Sequence, residues 1–436
     1  MPIDMGEAYK TNRALQRYGQ RCGVCILAAG LAKRLEPISD VVAKPAFPLA
    51  GQVPIAELWV RKFVDAGLTR IAMNLHRVPE SIRGYFGDGQ RFLADITYAH
   101  EETPTGTLGG AIKMLKALHA QGFYPERVFI PSGDIVSNVG PEHLEQMIDA
   151  HVRAGAVATL MLAPVPWDRL GDFGTAVLDG IPAGTEVRPG TFARILDFRE
   201  KEADSPSNEN NASNYLLDTD FLLELEPYLT PAQPGQADPC YDFGKHVFMG
   251  IVGKVPHLGF LTRYKDRLFG YEPGTLWFDI GNKRDYLEVN KAVLNRRIPV
   301  DLPYHEYPWG WMGENVEIDF SLVTIRPPVV IGHDCTIFPG AEIGPNVVLG
   351  DGWTIHKRAK IRDAVLWPHY DFGGGTSGQS PRISRIREVR EDVTVDTAIV
   401  VAGIIDSDVH GQTVDALPDG DLDVRSIDWV PGGSRA

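Results

Sequence analysis

A chain of 436 residues exceeds the usual single-domain size, so two domains are expected. The composition, 44% hydrophobic and 23% charged, is that of an ordinary globular protein. A net charge of −14 excludes a general binder of nucleic acid or of anionic membrane surfaces, so any anionic ligand must be held by local cations.

No apolar run approaches the roughly 18 residues that a membrane span needs, and no signal-peptide pattern is present, so a cytoplasmic location is expected. The four cysteines do not form a disulfide framework. Cys22 and Cys25 have C-x-x-C spacing, but Cys25 lies in a strand-like run and no second pair completes a zinc site. Both are expected to be core thiols.

Residues 1–21 are polar and read as an N-terminal extension, with a short helix around residues 8–18. Val24-Cys25-Ile26-Leu27 has the length of a buried strand. Ala28-Ala29-Gly30 follows, then a loop with Arg34 and Lys44 among small residues and prolines. Small side chains let the backbone approach a ligand, and exposed N–H groups there cradle anions. Arg as a planar fork and Lys as a point charge suit a polyphosphate. The glycine spacing fits neither a Walker A loop nor G-x-G-x-x-G.

Further on, apolar spacing predicts a helix over 54–66, a strand over 71–75 and a helix over 78–86. This alternation signals a three-layer α/β sheet. The turn TPTGTLGG (103–110) precedes a helix running to about His119, and helix N-termini bind anions and polar ligand edges. A strand over 127–130 leads into Pro131-Ser132-Gly133-Asp134. An acidic residue past a strand's carboxyl end lies where open α/β sheets bind ligands, and a hard carboxylate suits Mg²⁺. Another strand is expected over 157–163.

From Ile325 the pattern changes. Ile325, Ile331, Ile337, Ile343, Leu349, Ile355, Ile361 and Trp367 recur every six residues, with glycines at 332, 344 and 350. A six-residue apolar repeat is the signature of a parallel β-helix. An insertion at 368–388 contains DFGGGTSGQS, after which Val389, Val395 and Val401 resume the phase. The domains expected are a core over 22–300, a β-helix over 316–405 and a loosely ordered acidic tail over 406–436.

The residues also resemble a known family. L-A-A-G-x-x-x-R-L-x-P (27–37) with x-K-P-x-x-P-L-x-G (43–51) resembles the signature of the sugar-1-phosphate nucleotidyltransferases, the NDP-sugar pyrophosphorylases. Leu31-Ala32-Lys33 and Ala43 depart from it. The resemblance implies a Rossmann-like nucleotidyltransferase domain followed by a left-handed parallel β-helix. Arg34 and Lys44 fall on its phosphate-binding, catalytic cations. Leu27, Ala28, Ala29 and Gly30, with Gly106, Thr107 and Gly109 of the Gly/Thr-rich turn, fall on its nucleotide-binding loops.

The resemblance continues along the chain. Asp134 matches the family's G-D metal ligand, and Trp277-Phe278-Asp279-Ile280-Gly281 is similar to W-x-D-I-G, making Asp279 the second. Gly174 lies at a Y-G-like step near the sugar. Glu200-Lys201 resembles the E-K-P strand end, with Glu202 for the proline. Asn211-Ala212-Ser213-Asn214-Tyr215 resembles N-A-G-x-Y, with Ser213 for the glycine. Tyr241–Val247 resembles a further D-F-containing segment.

The implied reaction joins an NTP to a sugar (or cyclitol) 1-phosphate, giving an NDP-sugar and pyrophosphate. Mg²⁺ is the implied cofactor, with in-line attack on the α-phosphorus. AKPAFPLAG is similar to a glucose-1-phosphate adenylyltransferase branch and NLHRVPESIRGYFGDG to a mannose-1-phosphate guanylyltransferase-like one. GTP is the base expected, with adenylyl or uridylyl transfer as the alternative. A non-catalytic regulatory or scaffold paralogue is a second alternative. An acyltransferase coil using His356 or His410 is a third, disfavoured because no partner for either histidine is visible in the sequence. The β-helix is expected to serve as an oligomerising arm, with no nucleic acid or membrane partner.

Overall fold

The computed structural model describes residues 13–230, 239–368, 387–416 and 422–426. Most of the extension expected over 1–21, most of the insertion at 368–388 and much of the tail after 416 lie outside the described residues. The chain divides into two compact units. One comprises Met1–Gly30, Trp59–His76 and Phe86–Trp277; the other comprises Leu31–Leu58, Arg77–Tyr85 and Phe278–Ala436.

The first unit is built on a nine-stranded mixed sheet. Its strand order is Asp95–His100, Arg70–Leu75, Cys22–Ile26, Arg127–Pro131, Glu209–Asp218, Ala158–Pro164, Leu268–Glu272, Thr191–Glu200 and Gly174–Leu178. The first four run parallel, in registers such as Val24↔Ile71, Ile71↔Ile96 and Val24↔Phe129. The apolar runs of the three inner strands, Arg70–Leu75, Cys22–Ile26 and Arg127–Pro131, are buried on both faces, as parallel strands require, while the edge strand Asp95–His100 is only partly covered.

Leu108, Ala111, Ile112 and Leu115 of helix Gly106–Ala120 join Val128, Ile130, Leu160 and Leu217 in one core. On the other face Trp59, Phe63, Leu144 and Met147 pack toward Phe129 and Met161 around a small internal cavity. Each fully buried Leu, Ile or Phe stabilises by about 1.5–3 kcal/mol. This is the expected three-layer α/β arrangement. Cys22, Cys25 and Cys335 are buried free thiols, and burial pushes Cys22 up to about 12, so none of the three is poised for redox chemistry.

The second unit carries the loop from Leu31, the helix Lys283–Leu294 and three stacks of short parallel strands. One stack runs Glu317–Ile318, Thr336–Ile337, Thr354–Ile355, Arg387–Val389, Gly403–Ile405. The ladders pair Ile325↔Ile343↔Ile361 and Ile337↔Ile355, steps of eighteen residues or three hexads, an arrangement consistent with a β-helix. Their inward side chains form a continuous apolar core.

The six-residue phase slips at one point. Leu349 pairs with Leu366 rather than Trp367, and Leu366 with Val400 rather than Val401. Leu366 and Val400 therefore fill the core, while Trp367 packs against Phe47 and Tyr286 instead. At the corner ending this face, Gly332 and Gly350 are required by close approach. A Cβ on Gly332 would lie 2.6 Å from Asp351 N, and one on Gly350 would lie 2.3 Å from Pro368 N.

The stacks also run past residue 405. Val395 pairs with Val409, Ile399 with Thr413, and Gln412–Ala416 forms a hairpin with Leu422–Ser426. Valines and isoleucines continuing the ladder carry order into the segment expected to be loose.

Candidate active site

In the first unit the candidate residues gather at the carboxyl ends of the parallel strands. Leu27 N–H donates to Pro131 O at 2.9 Å, and Leu27 O accepts from Gly133 N–H at 2.8 Å, which brings the Leu27–Gly30 loop beside the Asp134 turn. Ser132 Oγ–H donates to Asp134 Oδ1 at 2.6 Å, and Ser132 N–H to Ser213 O at 2.9 Å. Two loop ends thus meet the irregular stretch of strand Glu209–Asp218 around Ser213, where open α/β sheets bind ligands.

Gly106, Thr107 and Gly109 lie in the first turn of helix Gly106–Ala120. Thr107 N–H donates to Asp242 Oδ1 at 3.2 Å, and its Oγ1 accepts from Phe243 N–H at 2.9 Å. Gly106 has φ +78, and a Cβ there would lie 2.3 Å from Tyr241 O. The turn is therefore held by the segment Tyr241–Phe243. That segment leads into a wide helical turn, Phe243–Phe248, whose start is fixed by Asp242 N–H donating to His246 Nδ1 at 2.9 Å. Such wide turns recur at functional sites.

The strand pairing Glu200↔Gly174 brings two candidates together. Glu200 is enclosed by glycines: a Cβ on Gly174 would lie 2.6 Å from its Oε2, and one on Gly244 2.9 Å. Burial holds its carboxyl above the usual range, opposed by the Lys201 and Lys245 charges, with Asp242 adding to the rise. Lys201 adopts φ +59, a left-handed conformation costly for a side-chain-bearing residue. Asn211 Nδ2–H donates to Tyr215 Oη at 3.0 Å, while its Oδ1 accepts Ser213 N–H at 3.1 Å. Burial pushes the Tyr215 phenol up to about 12, with Asn211 and Ser213 hydrogen bonds opposing and Glu200 and Asp242 reinforcing.

The family departures have local reasons. Glu202 lies 3.4 Å from Arg199 and 3.9 Å from Lys254, charge partners that a proline could not supply. Ser213 takes φ +55, the left-handed conformation natural to glycine, and its side chain hydrogen-bonds Tyr215.

The second unit gathers the remaining candidates. Lys44 Nζ lies 3.6 Å from Asp279 Oδ1, and Lys44 is only 9% exposed. The Arg34 guanidinium lies against Gly281, its Nη2 3.3 Å from where a Cβ would stand. Gly281 N–H donates to Asp285 Oδ2 at 3.1 Å, and Asn282 Oδ1 caps helix Lys283–Leu294 by accepting Asp285 N–H at 3.0 Å. The loop behind Lys44 is clamped: Ala43 N–H donates to Ser81 Oγ, Ala50 N–H to Asn290 Oδ1, and Tyr286 Oη–H to Pro48 O.

Asp134 and Asp279 offer hard oxygen donors, and the described residues contain no cluster of three or more metal-ligating side chains. Each carboxylate by itself is the kind of ligand Mg²⁺ takes, with substrate phosphates and water as the usual further ligands. Tyr215, Asp242 and Lys245 also border the candidate residues without having been named as candidates in the sequence, although Tyr215 closes the stretch quoted at 211–215. For Asp242 and Lys245 a signal existed: both lie in the segment singled out at 241–247.

The histidines of the coil do have carboxylate partners. His356 lies 3.5 Å from Glu388 and His410 3.7 Å from Asp396, partners that could not be identified in the sequence. Both pairs join adjacent coils, as do the neighbouring Arg358–Asp392 and Arg362–Asp396 pairs, which fits ladder reinforcement.

The nucleotidyl transferase family model matches residues 24–296, more than half of the chain. A UTP–glucose-1-phosphate uridylyltransferase of Synechocystis is 28% identical, covering 80% of this chain and 84% of that protein. A glucose-1-phosphate adenylyltransferase of Deinococcus radiodurans is 26% identical, covering 78% and 80%. That of Geobacillus stearothermophilus is 24% identical, covering 76% and 83%. With the signature loop, the strand-end carboxylates and a match of this extent, the chain belongs to the nucleotidyl transferase family.

Proposed function

We propose that the protein joins an NTP to a sugar 1-phosphate, releasing pyrophosphate and forming an NDP-sugar. The observation that supports this most is the Arg34–Lys44–Asp279 cluster about Gly281, two cations and a carboxylate held on rigid supports. An ionised phosphate is already nucleophilic, so no covalent intermediate is needed. The work of the chain is to align two mutually repelling anions and offset the charge that develops on the leaving group.

In this reading Arg34 and Lys44 hold the triphosphate and the leaving pyrophosphate. Leu27–Gly30 and the Gly106–Gly109 turn border the nucleotide. Lys201, with Lys245, holds the sugar phosphate, and Glu200, Gly174 and Asn211 face the sugar. Asp134 and Asp279 would hold Mg²⁺, which supplies charge neutralisation between phosphates when bound.

The relatives' names, uridylyl- and adenylyltransferase, support UTP or ATP as the donor rather than the GTP expected from sequence. A hexose 1-phosphate is the acceptor class, with a cyclitol phosphate as the variant. The stacked strands would form a left-handed β-helix through which copies of the chain associate, in a cytoplasmic enzyme. No helix among the described residues is long and apolar enough to cross a membrane.

The test is pyrophosphate release with Mg²⁺ across the four NTPs and a panel of hexose and cyclitol 1-phosphates. Release with one pair establishes donor and acceptor together. Silence across the panel, with NTP binding still measurable by calorimetry, would favour the regulatory paralogue.

A further inference from the structure

Four polar contacts span the carboxyl end of the first unit's sheet, and they are almost sealed from water. Asn74, 3% exposed, lies in strand Arg70–Leu75; Glu101, 1% exposed, directly follows strand Asp95–His100. Asn74 Oδ1 accepts Ala28 N–H at 2.6 Å, and Asn74 Nδ2–H donates to Glu101 Oε1 at 2.6 Å. Glu101 Oε2 accepts both Thr105 N–H at 3.0 Å and Thr105 Oγ1–H at 2.6 Å. Lys113 Nζ stands 3.9 Å from the same oxygen and offsets its charge.

The backbone of Glu101 is fixed as well. Its N–H donates to Leu75 O at 2.8 Å, and its carbonyl lies 2.8 Å from His76 Nδ1. Space for the pair is made by Gly110, where a Cβ would lie 2.5 Å from Asn74 Nδ2 and 3.0 Å from Glu101 Oε1.

Burying a carboxylate is costly unless its lone pairs are satisfied, and a generic core position would carry an apolar side chain. Here both oxygens are spent on groups that lead to two particular loops. One is the Ala28–Gly30 loop that opens the signature stretch; the other is Thr105, directly before Gly106. We propose that Asn74 and Glu101 form a relay that positions both walls of the nucleotide subsite, so that the Glu101 carboxylate orders the site without touching the base. This rests on the reading that those two loops hold the nucleotide. It assigns discrimination among bases to other groups, because neither oxygen of Glu101 faces an unfilled role.

The relay has a direction of hydrogen bonding that can be reversed. Asn74→Asp alone sets carboxylate against carboxylate. Glu101→Gln alone turns an NH₂ toward another donor. In the double variant N74D/E101Q, the residue 101 amide N–H donates to the residue 74 carboxylate, its oxygen accepts from Thr105, and Ala28 N–H keeps its acceptor. All four contacts are restored with one donor and one acceptor exchanged.

The experiment is steady-state pyrophosphate release by the full chain, reading KM separately for the NTP and the sugar 1-phosphate, with all four NTPs ranked. Each single variant is expected to raise the NTP KM roughly ten-fold or more, consistent with an unpaired buried group. The sugar-phosphate KM stays within about two-fold, the NTP ranking is unchanged, and the double variant returns to within about three-fold of wild type. Wild-type KM values in the single variants would overturn the relay, as would a double variant no better than the worse single. A changed NTP ranking in E101Q would overturn it by showing that the carboxylate reads the base. If the single variants do not fold, Thr105→Val, which removes one donor, must raise the NTP KM alone for the relay to stand. Wild-type protein that binds no NTP in calorimetry would instead overturn the nucleotide reading beneath it.

Discussion

The Trp367 indole meets the Phe47 ring edge-on, with centroids 5.1 Å apart and planes at 70°. Phe47 is three residues beyond Lys44, and its N–H donates to Lys44 O at 3.0 Å. Tyr286 completes the cluster 5.7 Å from Phe47. The last residue of a coil face thus braces the loop that carries a candidate catalytic cation.

Trp367→Ala should therefore cost about 3–5 kcal/mol of stability and lower turnover as well, because the Lys44 loop loses its support. Trp367→Phe should recover most of both. Chemical denaturation paired with pyrophosphate release checks this; a destabilised variant with full turnover would show that the brace does not reach Lys44.

Lys44→Met and Asp279→Ala remove partners 3.6 Å apart at the proposed pyrophosphate end. Asp279 has a side chain 36% exposed, so its loss should barely change the melting temperature. Turnover should fall by roughly 10²–10³ in each, the scale seen when one group aimed at developing charge is removed. Thermal melts beside initial rates separate the two effects.

Gly174→Ala tests the enclosure of Glu200. The added methyl would lie 2.6 Å from Glu200 Oε2 and 2.9 Å from Phe198 Cζ, so the carboxylate must move. The expected result is a KM for the sugar 1-phosphate raised roughly ten-fold, with the NTP KM near wild type. Equal rises in both would place the disturbance outside the sugar pocket.

Glu209 gives a pH prediction. It is 1% exposed, and burial, with the Glu272 and Glu186 charges, pushes its pKa from 4.5 up to about 8 against a Val187 backbone hydrogen bond. A raised acid holds its proton more tightly in the folded chain. Its contribution to stability is thus complete below about pH 4.5 and is lost as pH climbs through about 8. Glu209→Gln should flatten that decline and, above pH 8, make the protein more stable than wild type by on the order of 2–4 kcal/mol. Melting curves from pH 5 to 9 decide it; parallel curves would rule out Glu209 as the titrating group.

Much of the candidate site was legible because the chemistry expected of it is local. Arg34, Lys44, Glu200 and the strand-end Asp134 lie in short motifs whose residue types announce anion or metal binding. The pairing of Glu200 with Gly174 depends on strand register across 26 positions of chain, yet the resemblance placed both near the sugar. Thr107 shows the limit: a threonine in a Gly-rich turn reads as a ligand contact, and its hydrogen bonds to Asp242 and Phe243 arise from a segment 135 residues away. Asn74 and Glu101 carried no signal, since a buried polar pair looks like any surface pair in one dimension.

The coil shows the same division. The hexad period followed the ladders through Ile361, because each residue there repeats the environment of the one eighteen before it. At Trp367 the count slipped by one, and both Leu366 and Trp367 are apolar, so period alone could not tell the inward residue from the outward one. The outward Trp367 meets Phe47, on a distant part of the chain.

The described strands stop short of Pro368 and resume at Arg387. The Arg387 guanidinium donates to Pro368 O at 3.0 Å and to Trp367 O at 3.2 Å, while Ile355↔Val389 keeps the ladder in step. Pro368 and Arg387 are therefore pinned to one point, and the register after Arg387 is set by these contacts. The corner is a port: a reporter domain or affinity module spliced there should leave the downstream coils, and the brace on Phe47, where they are.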